Sequence, residues 1–421
     1  MKPSAIRTIL FIILAGILGY FVGTNRITAA WQNYHPQITI TSKEPPANLS
    51  NIDMTQFWVV MEKLETDYYD QSVVKPQEMV NGAIEGMVSS LNDPFSMYLP
   101  PTANTAFQQQ ISGQFAGIGA ELGMQNGAVI VIAPLDGSPA EKAGIKAGDT
   151  ILKVDKHIVS GVDLNVIVSE VKGPKGTPVT LTVLHKGAAS PSVITIVRDT
   201  INVPSVFSWT KQVKDIDGIN QTPLLKQHAT DKVAYIRLSE FGEQSDTEWS
   251  KIVDTISSQM TKDKSLKGVV LDLRNNPGGL LTDAVYIGSE FINSGVIVQQ
   301  DDGKGNITKL SVNRAGKLTT IPLVVIINGG SASASEIVSG ALRDHKRAKL
   351  VGEQSFGKGT VQEALDMGNG AGLHVTIAKW LTPDGTWVHQ KGLTPDVVVH
   401  LDPKNPSRDT QLEKGIETLL Q

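Results

Sequence analysis

The sequence predicts an α/β protein that carries an inserted β-rich module and an N-terminal helical region. After residue 201, apolar β-branched runs alternate with segments of helical periodicity, which predicts a layered α/β core. Between residues 113 and 200, short β-branched runs separated by glycine turns predict a compact β-rich module. Between residues 57 and 91, apolar side chains recur every three or four positions, which predicts two amphipathic helices.

The composition of the chain indicates how large a core it can bury and which kinds of partner it is expected to bind. The chain has 421 residues and is 40% hydrophobic, so it can bury a sizeable core and is expected to contain two or three folded units. The net charge is −4 and the basic residues are scattered, so we expect no nucleic-acid binding. The chain has no cysteine, which excludes disulfides, thiol catalysis and cysteine-bound metal.

The first 24 residues are typical of a translocation signal. Lys2 and Arg7 precede an uninterrupted apolar run over residues 9–23. This run is short for a membrane span and long for the core of a cleaved signal, so both remain open; we favour an anchor. The positive-inside rule then places Lys2 and Arg7 in the cytoplasm and the rest of the chain outside it, at the cell membrane, or secreted if the segment is cleaved.

Residues 25–50 are polar and contain three prolines, so we interpret them as a linker from the membrane. The helical region follows over residues 51–112. Its amphipathic helices must pack against something, and the sequence leaves two interpretations open. They form either local core or a dimerisation arm, in which case the protein is a homodimer.

A serine-rich turn provides the first candidate for catalysis. An apolar strand at residues 321–327 runs into Asn-Gly-Gly and then into a helix, so Ser333 lies near a helix N-terminus, where amides and the helix dipole favour negative charge. That environment suits a nucleophile. Ser333 and Glu336 also fit a capping box, in which the serine only caps the helix, and Ser331 and Ser335 are competing nucleophiles in the same turn.

A glycine-flanked lysine provides the candidate base. In a strand, Lys358, Thr360 and Gln362 project from one face, so Gln362 could hold the lysine amine by a hydrogen bond. A lysine can deprotonate a serine if burial lowers the pKa of its ammonium towards neutrality. The alternative is an ordinary solvent-exposed lysine.

A third strand-and-glycine segment covers residues 269–280. The amides of its glycine loop, at Gly278 or Gly279, could form an oxyanion hole together with the amide of Ala334. The alternative is a tight turn between a strand and a helix.

Together, residues 272–279, 328–336 and 357–362 closely resemble the motifs of the carboxy-terminal processing proteases, the tail-specific serine peptidases. Residues 91–99 and 382–396 look like the family's N-terminal and closing signatures, so the resemblance extends over residues 52–400. It implies a crotonase-like α/β peptidase core at residues 201–400, followed by a C-terminal tail at 401–421. It also implies that Ser333 is the nucleophile, Lys358 the general base and Gln362 the residue that positions the lysine, with no cofactor or metal.

The middle module resembles a PDZ domain. Residues 138–151 match a typical PDZ core, and Gly117, Ile118, Gly119 and Ala120 match the loop that binds a peptide carboxylate. Lys172 stands at the end of the module's helix where the family commonly has arginine, and an ammonium is a poorer fork for a carboxylate.

These expectations describe an exported, membrane-tethered endopeptidase that captures protein or peptide substrates by their free C-termini. Two alternatives keep part of this interpretation: a catalytically silent PDZ scaffold that binds C-termini, and an acyl-thioester enzyme on a related fold. A histidine-based serine hydrolase is disfavoured because the sequence lacks a G-x-S-x-G elbow, and a zinc peptidase because it lacks H-E-x-x-H.

Overall fold

The computed structural model describes residues 27–32, 35–40, 47–111, 114–125, 127–135, 137–162, 164–202, 204–242, 244–405 and 407–421. The predicted membrane segment, residues 1–24, lies outside these residues. The chain divides into two compact units: residues 1–102 with 364–374, and residues 103–363 with 375–421.

The first unit contains a hairpin, two helices and a short strand. The elements are β1 (Ile27–Gln32), β2 (His35–Ile40), α1 (Thr55–Asp67), α2 (Pro76–Ser89) and β3 (Met97–Leu99). The β1–β2 pair is antiparallel and lies inside the segment that we interpret as a linker. Helix α2 begins at Pro76, which suits a first helical position because its missing N–H would have no partner there. Both predicted amphipathic helices are therefore present.

The apolar face of helix α1 is exposed. No residue of α1 is buried, and Trp58, Val60 and Leu64 are all exposed. Phe57, Val60 and Leu64 line a groove against Met79 and Ala83 of α2. Dimerisation through this face stays a prediction, which the mass of the protein in solution would test.

Helix α3 (Pro101–Ile111) leads to the β-rich module. The elements of the module are β4 (Gln114–Gly117), β5 (Ala120–Gln125), β6 (Ala128–Pro134), α4 (Pro139–Lys142), β7 (Thr150–Val154), β8 (His157–Ile158), α5 (Leu164–Val171), β9 (Pro178–Leu184), β10 (Ser192–Val197) and β11 (Asp199–Asn202). Its main sheet has the order β10-β9-β7-β6-β5, so β5 is an edge strand. Strands β4 and β11 pair with each other where the chain enters and leaves the module.

The chain after residue 205 contains the remaining elements, and residues 364–374, which end β19 and begin β20, belong to the first unit. These remaining elements are β12 (Val206–Gln212), α6 (Pro223–Gln227), β13 (Lys232–Leu238), α7 (Ser245–Lys262), β14 (Leu266–Asp272), α8 (Leu281–Phe291), β15 (Val296–Asp301), β16 (Ile307–Ser311), β17 (Leu323–Ile327), α9 (Ala334–Asp344), β18 (Lys349–Gly352), β19 (Thr360–Asp366), β20 (Gly372–Leu381), β21 (Val397–Val398) and α10 (Thr410–Leu420). The order of its main sheet is β12-β13-β14-β17-β18-β21, and all of its pairs are parallel except β12 with β13. A second sheet has the order β16-β15-β20-β19.

Both faces of the main sheet are covered, which explains its continuous apolar strands. Leu271 and Val325 belong to the hydrophobic cluster that includes residues of α7, α8 and α9. The residues next to them in sequence, Val270 and Ile326, point to the other face and pack with Ile416 of α10. The helices therefore form layers on both sides of a sheet, and the predicted α/β fold class is confirmed.

Helix α10 lies within the segment that we assigned to a C-terminal tail, and it packs on the sheet. Asp409 caps the helix by accepting a hydrogen bond from the amide of Leu412 at 2.8 Å. The same carboxylate pairs with Arg274 at 2.8 Å, and Arg274 also pairs with the fully buried Asp272 at 2.6 Å. This charged network fixes the helix to the carboxyl end of β14.

Candidate active site

Three loops that carry the sequence motifs leave the carboxyl ends of three adjacent parallel strands. Residues 273–280 follow β14, residues 328–333 follow β17, and residues 353–359 follow β18. Because the carboxyl ends of parallel strands meet at one edge of a sheet, these loops form a common site. The tertiary structure thus brings the loop after β14 into contact with a loop that lies more than fifty residues further along the chain.

Ser333 lies in a strained turn directly before α9. Its φ is 55° and its ψ is −115°, a conformation that a residue with a side chain rarely adopts. The turn is tight enough that a methyl group placed on Gly278 would lie 2.7 Å from the Cβ of Ser333, and Gly278 itself has a φ of 105°. Strain of this kind is typical of a nucleophile held at a strand-to-helix turn.

The hydroxyls of the two competing serines are engaged in holding the turn. Ser331 is fully buried, and its Oγ donates to the carbonyl of Leu273 at 2.7 Å. Ser335 is also fully buried, and its Oγ donates to the carbonyl of Asn276 at 2.9 Å. Of the three serines, only Ser333 is partly exposed. These contacts distinguish Ser333 from the other two serines as the candidate nucleophile, a distinction that the sequence could not make.

The glycine loop after β14 lies against residues 328–333, which we call the serine turn. Its two candidate oxyanion donors, Gly278 and Gly279, differ in whether their amides are already hydrogen-bonded. The amide of Gly278 donates to the side-chain Oδ1 of Asn276 at 2.9 Å, so it is already engaged. The amides of Gly279 and Ala334 donate to no other residue in the described part of the chain. The geometry therefore favours Gly279 and Ala334, and not Gly278, as the pair that can face an oxyanion.

The buried carboxylate of Glu336 links the serine turn to residues 353–359, which we call the lysine loop. Its Oε2 accepts hydrogen bonds from the backbone amides of Ser333 and Lys358, each at 2.9 Å. The two amide nitrogens therefore lie within about 6 Å of each other. Burial raises the pKa of Glu336, and the hydrogen bonds that its carboxylate accepts oppose this effect.

The backbone around Lys358 is also held by two tryptophan side chains. Two indole nitrogens donate to consecutive carbonyls, Trp380 to that of Lys358 and Trp387 to that of Gly359, both at 2.8 Å. The side chain of Lys358 is half-buried. Because hydrogen bonds hold both the amide and the carbonyl of Lys358, the orientation of the backbone at this lysine is determined by the fold.

Gln362 lies two residues beyond Thr360 on β19, as predicted for a strand. Its Nε2 donates to the hydroxyls of Thr360 at 2.9 Å and Thr376 at 3.0 Å. Both amide hydrogens are therefore used, which leaves its Oε1 as the group that can accept a hydrogen bond from an amine.

The glycine loop of the β-rich module has two backbone amides that donate to no other described residue. Gly119 has a φ of 73°, and a methyl group at this position would lie 2.6 Å from the Cβ of Ser138. The carbonyls of Ile118 and Gly119 accept hydrogen bonds from Ala140 and Leu135, while their amides donate to no other described residue. Ile118 is buried in the module and Ala120 begins the edge strand β5, so the loop leads directly to a free strand edge.

Comparison with known proteins agrees with this architecture. The family model "Peptidase family S41" matches residues 232–399, "PDZ domain" matches residues 116–195, and "Activating protease CtpB N-terminal domain" matches residues 13–102. A carboxy-terminal-processing protease of Bartonella bacilliformis is 40% identical over 82% of this chain and 75% of its own length. The chain belongs to the carboxy-terminal processing proteases.

Two further comparisons are consistent with this assignment. The carboxy-terminal processing protease CtpA of Bacillus subtilis is 36% identical over 81% of this chain and 67% of its own length. The solved structure of an S41 protease from Bacteroides fragilis aligns with 86% of this chain and 96% of its own at a TM-score of 0.52. Its identity is 15%, so it supports the fold alone. As a carboxy-terminal processing protease, this protein is a serine peptidase with a PDZ domain.

Sequence reasoning assigned Glu336 to a capping box and found no role for Ser355 or Asn276. The sequence signal for Glu336 was its spacing from Ser333, and the contact with the Ser333 amide is indeed formed. Its contacts with the lysine loop had no sequence signal, because they join positions more than twenty residues apart. Within the described residues, no three His, Asp or Glu side chains are grouped as a metal site requires.

The described residues contain no helix that is both long and apolar enough to cross a membrane. The predicted anchor lies outside them, so its placement remains a prediction.

Proposed function

We propose that this carboxy-terminal processing protease captures substrate proteins by their C-termini through its PDZ domain and cleaves them with a Ser333–Lys358 dyad. The observation that carries the dyad is the shared carboxylate of Glu336, which accepts from the amides of both residues. The engagement of Ser331 and Ser335 in buried hydrogen bonds leaves Ser333 as the serine available for attack.

The chemistry follows from the groups that surround Ser333. The neutral amine of Lys358 accepts the Oγ proton as Oγ bonds to the scissile carbonyl carbon, and the resulting oxyanion accepts from the amides of Gly279 and Ala334. The lysine ammonium then protonates the leaving amine as the C–N bond breaks. Water hydrolyses the acyl-serine ester with Lys358 again acting as the base. Gln362 orients the amine through its free Oε1.

Cleavage of a disordered reporter protein by the purified full-length chain tests this proposal against the alternative of a silent PDZ scaffold. We expect time-dependent cleavage that is proportional to enzyme concentration. A preparation that binds the reporter and never cleaves it, at any pH between neutral and mildly alkaline, would support the scaffold.

Capture by the PDZ domain should depend on the free carboxylate of the substrate. The amides of Ile118 and Gly119 form an anion nest beside the edge strand β5, to which a peptide can add as a further strand. We expect that amidating the C-terminus of a peptide weakens its binding to the Ser333→Ala protein by about tenfold or more, since charge-assisted hydrogen bonds are worth about 1.5–3 kcal/mol. Isothermal titration of matched acid and amide peptides measures this difference.

Equal affinity for the acid and amide peptides would contradict carboxylate capture. A peptide with the same composition and a scrambled C-terminal sequence is the control for unspecific charge attraction.

We also propose that residues 1–24 tether the protease to the membrane, with the peptidase on the extracytoplasmic side. The support is the sequence pattern of Lys2, Arg7 and the apolar run that follows them. We expect the full-length chain to sediment with membranes in high salt and to be digested by a protease added outside intact cells. Recovery of the protein in the cytosol would contradict this proposal, and release without residues 1–24 would show a cleaved signal.

A further inference from the structure

One buried carboxylate collects hydrogen bonds from two separate loops of the peptidase. Glu336 is fully buried on the first turn of α9. Its Oε2 accepts from the amides of Ser333 and Lys358, and its Oε1 accepts from the amide of Gly357 at 2.7 Å and the Oγ of Ser355 at 2.6 Å. Three of the four donors belong to the loop that carries the candidate base.

We infer that Glu336 is a positioning residue that holds the lysine loop in register with the serine turn. The inference rests on the proposed Ser333–Lys358 dyad and adds a side chain that helps to set the relation between its two members, beside the backbone hydrogen bond from Phe356 to Ser331 at 3.0 Å. Glu336 does not contact the substrate in this role; it acts through the backbones of Ser333 and Lys358.

The lysine loop needs such a fixing point because it has no regular structure of its own. Residues 353–359 lie between β18 and β19 and make no helix or strand. Ser355 extends the connection, since its Oγ also accepts from the amide of Leu393 at 2.6 Å, and its amide donates to the carbonyl of Leu393 at 3.1 Å. The carboxylate thus joins the serine turn, the lysine loop and the closing segment around Leu393.

An ionised glutamate fits this position better than any neutral residue. Two carboxylate oxygens can accept from four donors, and the four hydrogen bonds offset the cost of burying the charge. In Glu336→Gln, the amide NH₂ replaces one oxygen. If the NH₂ faces Ser355 and Gly357, the Gly357 amide loses its acceptor. If it faces Ser333 and Lys358, both of those amides lose theirs.

Glutamine therefore has one favourable orientation, in which its oxygen still accepts from Ser333 and Lys358. We expect Glu336→Gln to keep part of the positioning that the carboxylate provides and Glu336→Ala to lose that contribution completely. A displacement of about 1 Å in a catalytic group can cost about 100-fold in rate. We therefore expect kcat to fall about 10-fold in Glu336→Gln and at least about 100-fold in Glu336→Ala, with KM unchanged in both.

The test combines steady-state kinetics on a reporter protein with amide hydrogen exchange of the full-length chain. In the parent protein, we expect slow exchange at the Gly357 and Lys358 amides because they donate to a buried acceptor. Exchange at the Gly357 amide should accelerate in both variants and exchange at the Lys358 amide in Glu336→Ala, while the strands of the main sheet exchange as before. Circular dichroism and the thermal midpoint establish the folded fraction, to which kcat is normalised.

Ser339→Ala is the matched control. Ser339 is fully buried one turn further along α9, and its Oγ has no hydrogen-bond partner among the described residues. We expect this variant to keep the parent kcat and the parent exchange rates in residues 353–359. If Glu336→Ala unfolds, Glu336→Gln decides the question.

Parent-like kcat in folded Glu336→Gln and Glu336→Ala would overturn the positioning role, even if Ser333→Ala and Lys358→Ala are inactive. Cleavage by Ser333→Ala or Lys358→Ala would instead overturn the dyad itself. The two failures are thus distinguishable.

Discussion

Replacing Ser333 with alanine is expected to reduce kcat by about 10⁴-fold or more, because no other hydroxyl in the turn can form the acyl-enzyme. Ser331 and Ser335 are fully buried and donate to backbone carbonyls, so neither can replace the missing nucleophile. Cleavage of a disordered reporter protein at saturating concentration measures the loss. Peptide binding by the PDZ domain should be retained, since the capture loop lies in a different module.

Ser331→Ala and Ser335→Ala are the matched controls for this result. Each removes a buried hydrogen bond, while the carbonyls of Leu273 and Asn276 still accept from the backbone amides of Asn276 and Ala332. Such a loss costs about 0.5–1.5 kcal/mol of stability. We expect a lower thermal midpoint and measurable turnover in both. Full activity of Ser333→Ala, or a complete loss of activity confined to one of its neighbours, would show that the nucleophile is misassigned.

Replacing Lys358 with arginine is expected to abolish cleavage as completely as replacing it with alanine. The proposed base must be neutral before it accepts a proton, whereas an arginine guanidinium stays charged throughout the working range. An exposed lysine has a pKa of about 10.4, so the site must lower the pKa of Lys358 by desolvation, with nearby apolar residues such as Val361 contributing. The measurement is kcat for the three proteins at several pH values.

The same requirement fixes the direction of the pH dependence. The fraction of neutral lysine grows as pH rises through the lowered pKa, so kcat/KM should rise with pH and then reach a plateau. This profile should be measured in single turnover, so that it reports the chemical step. A flat profile across the neutral and mildly alkaline range, or rescue of turnover by arginine, would mean that Lys358 has an electrostatic or structural role and that Ser333 has another base.

The sequence predicted the layered core well because the signals of that core are local. The buried run Leu323–Ile327 follows from a sheet covered on both faces, and the helix after it follows from apolar spacing along the chain. The α/β class could be predicted from such patterns without knowing which strands are neighbours. The C-terminal helix Thr410–Leu420 was not predicted. The contacts that hold it, Ile416 with the sheet and Asp409 with Arg274, join residues that are far apart in the sequence.

The candidate oxyanion hole shows the limit of motif reasoning. Gly278 and Gly279 are adjacent and chemically identical, so the sequence could not choose between their amides. The choice depends on Asn276, whose Oδ1 accepts from Gly278 and leaves the amide of Gly279 as the one that can face a substrate. The position of the Asn276 side chain therefore determines which of the two glycine amides is engaged.

The sequence by itself determined the order of modules, the α/β class and the residue types that a serine–lysine peptidase requires, because motif spacing and periodicity are properties of the chain. Only the tertiary structure decided which of three serines is exposed, which glycine amide is unengaged and what holds the lysine loop. Those answers depend on the parallel alignment of β14, β17 and β18, whose carboxyl ends bring distant loops to one edge of the sheet. Glu336 can join these loops because its burial leaves the four donors as its hydrogen-bond partners.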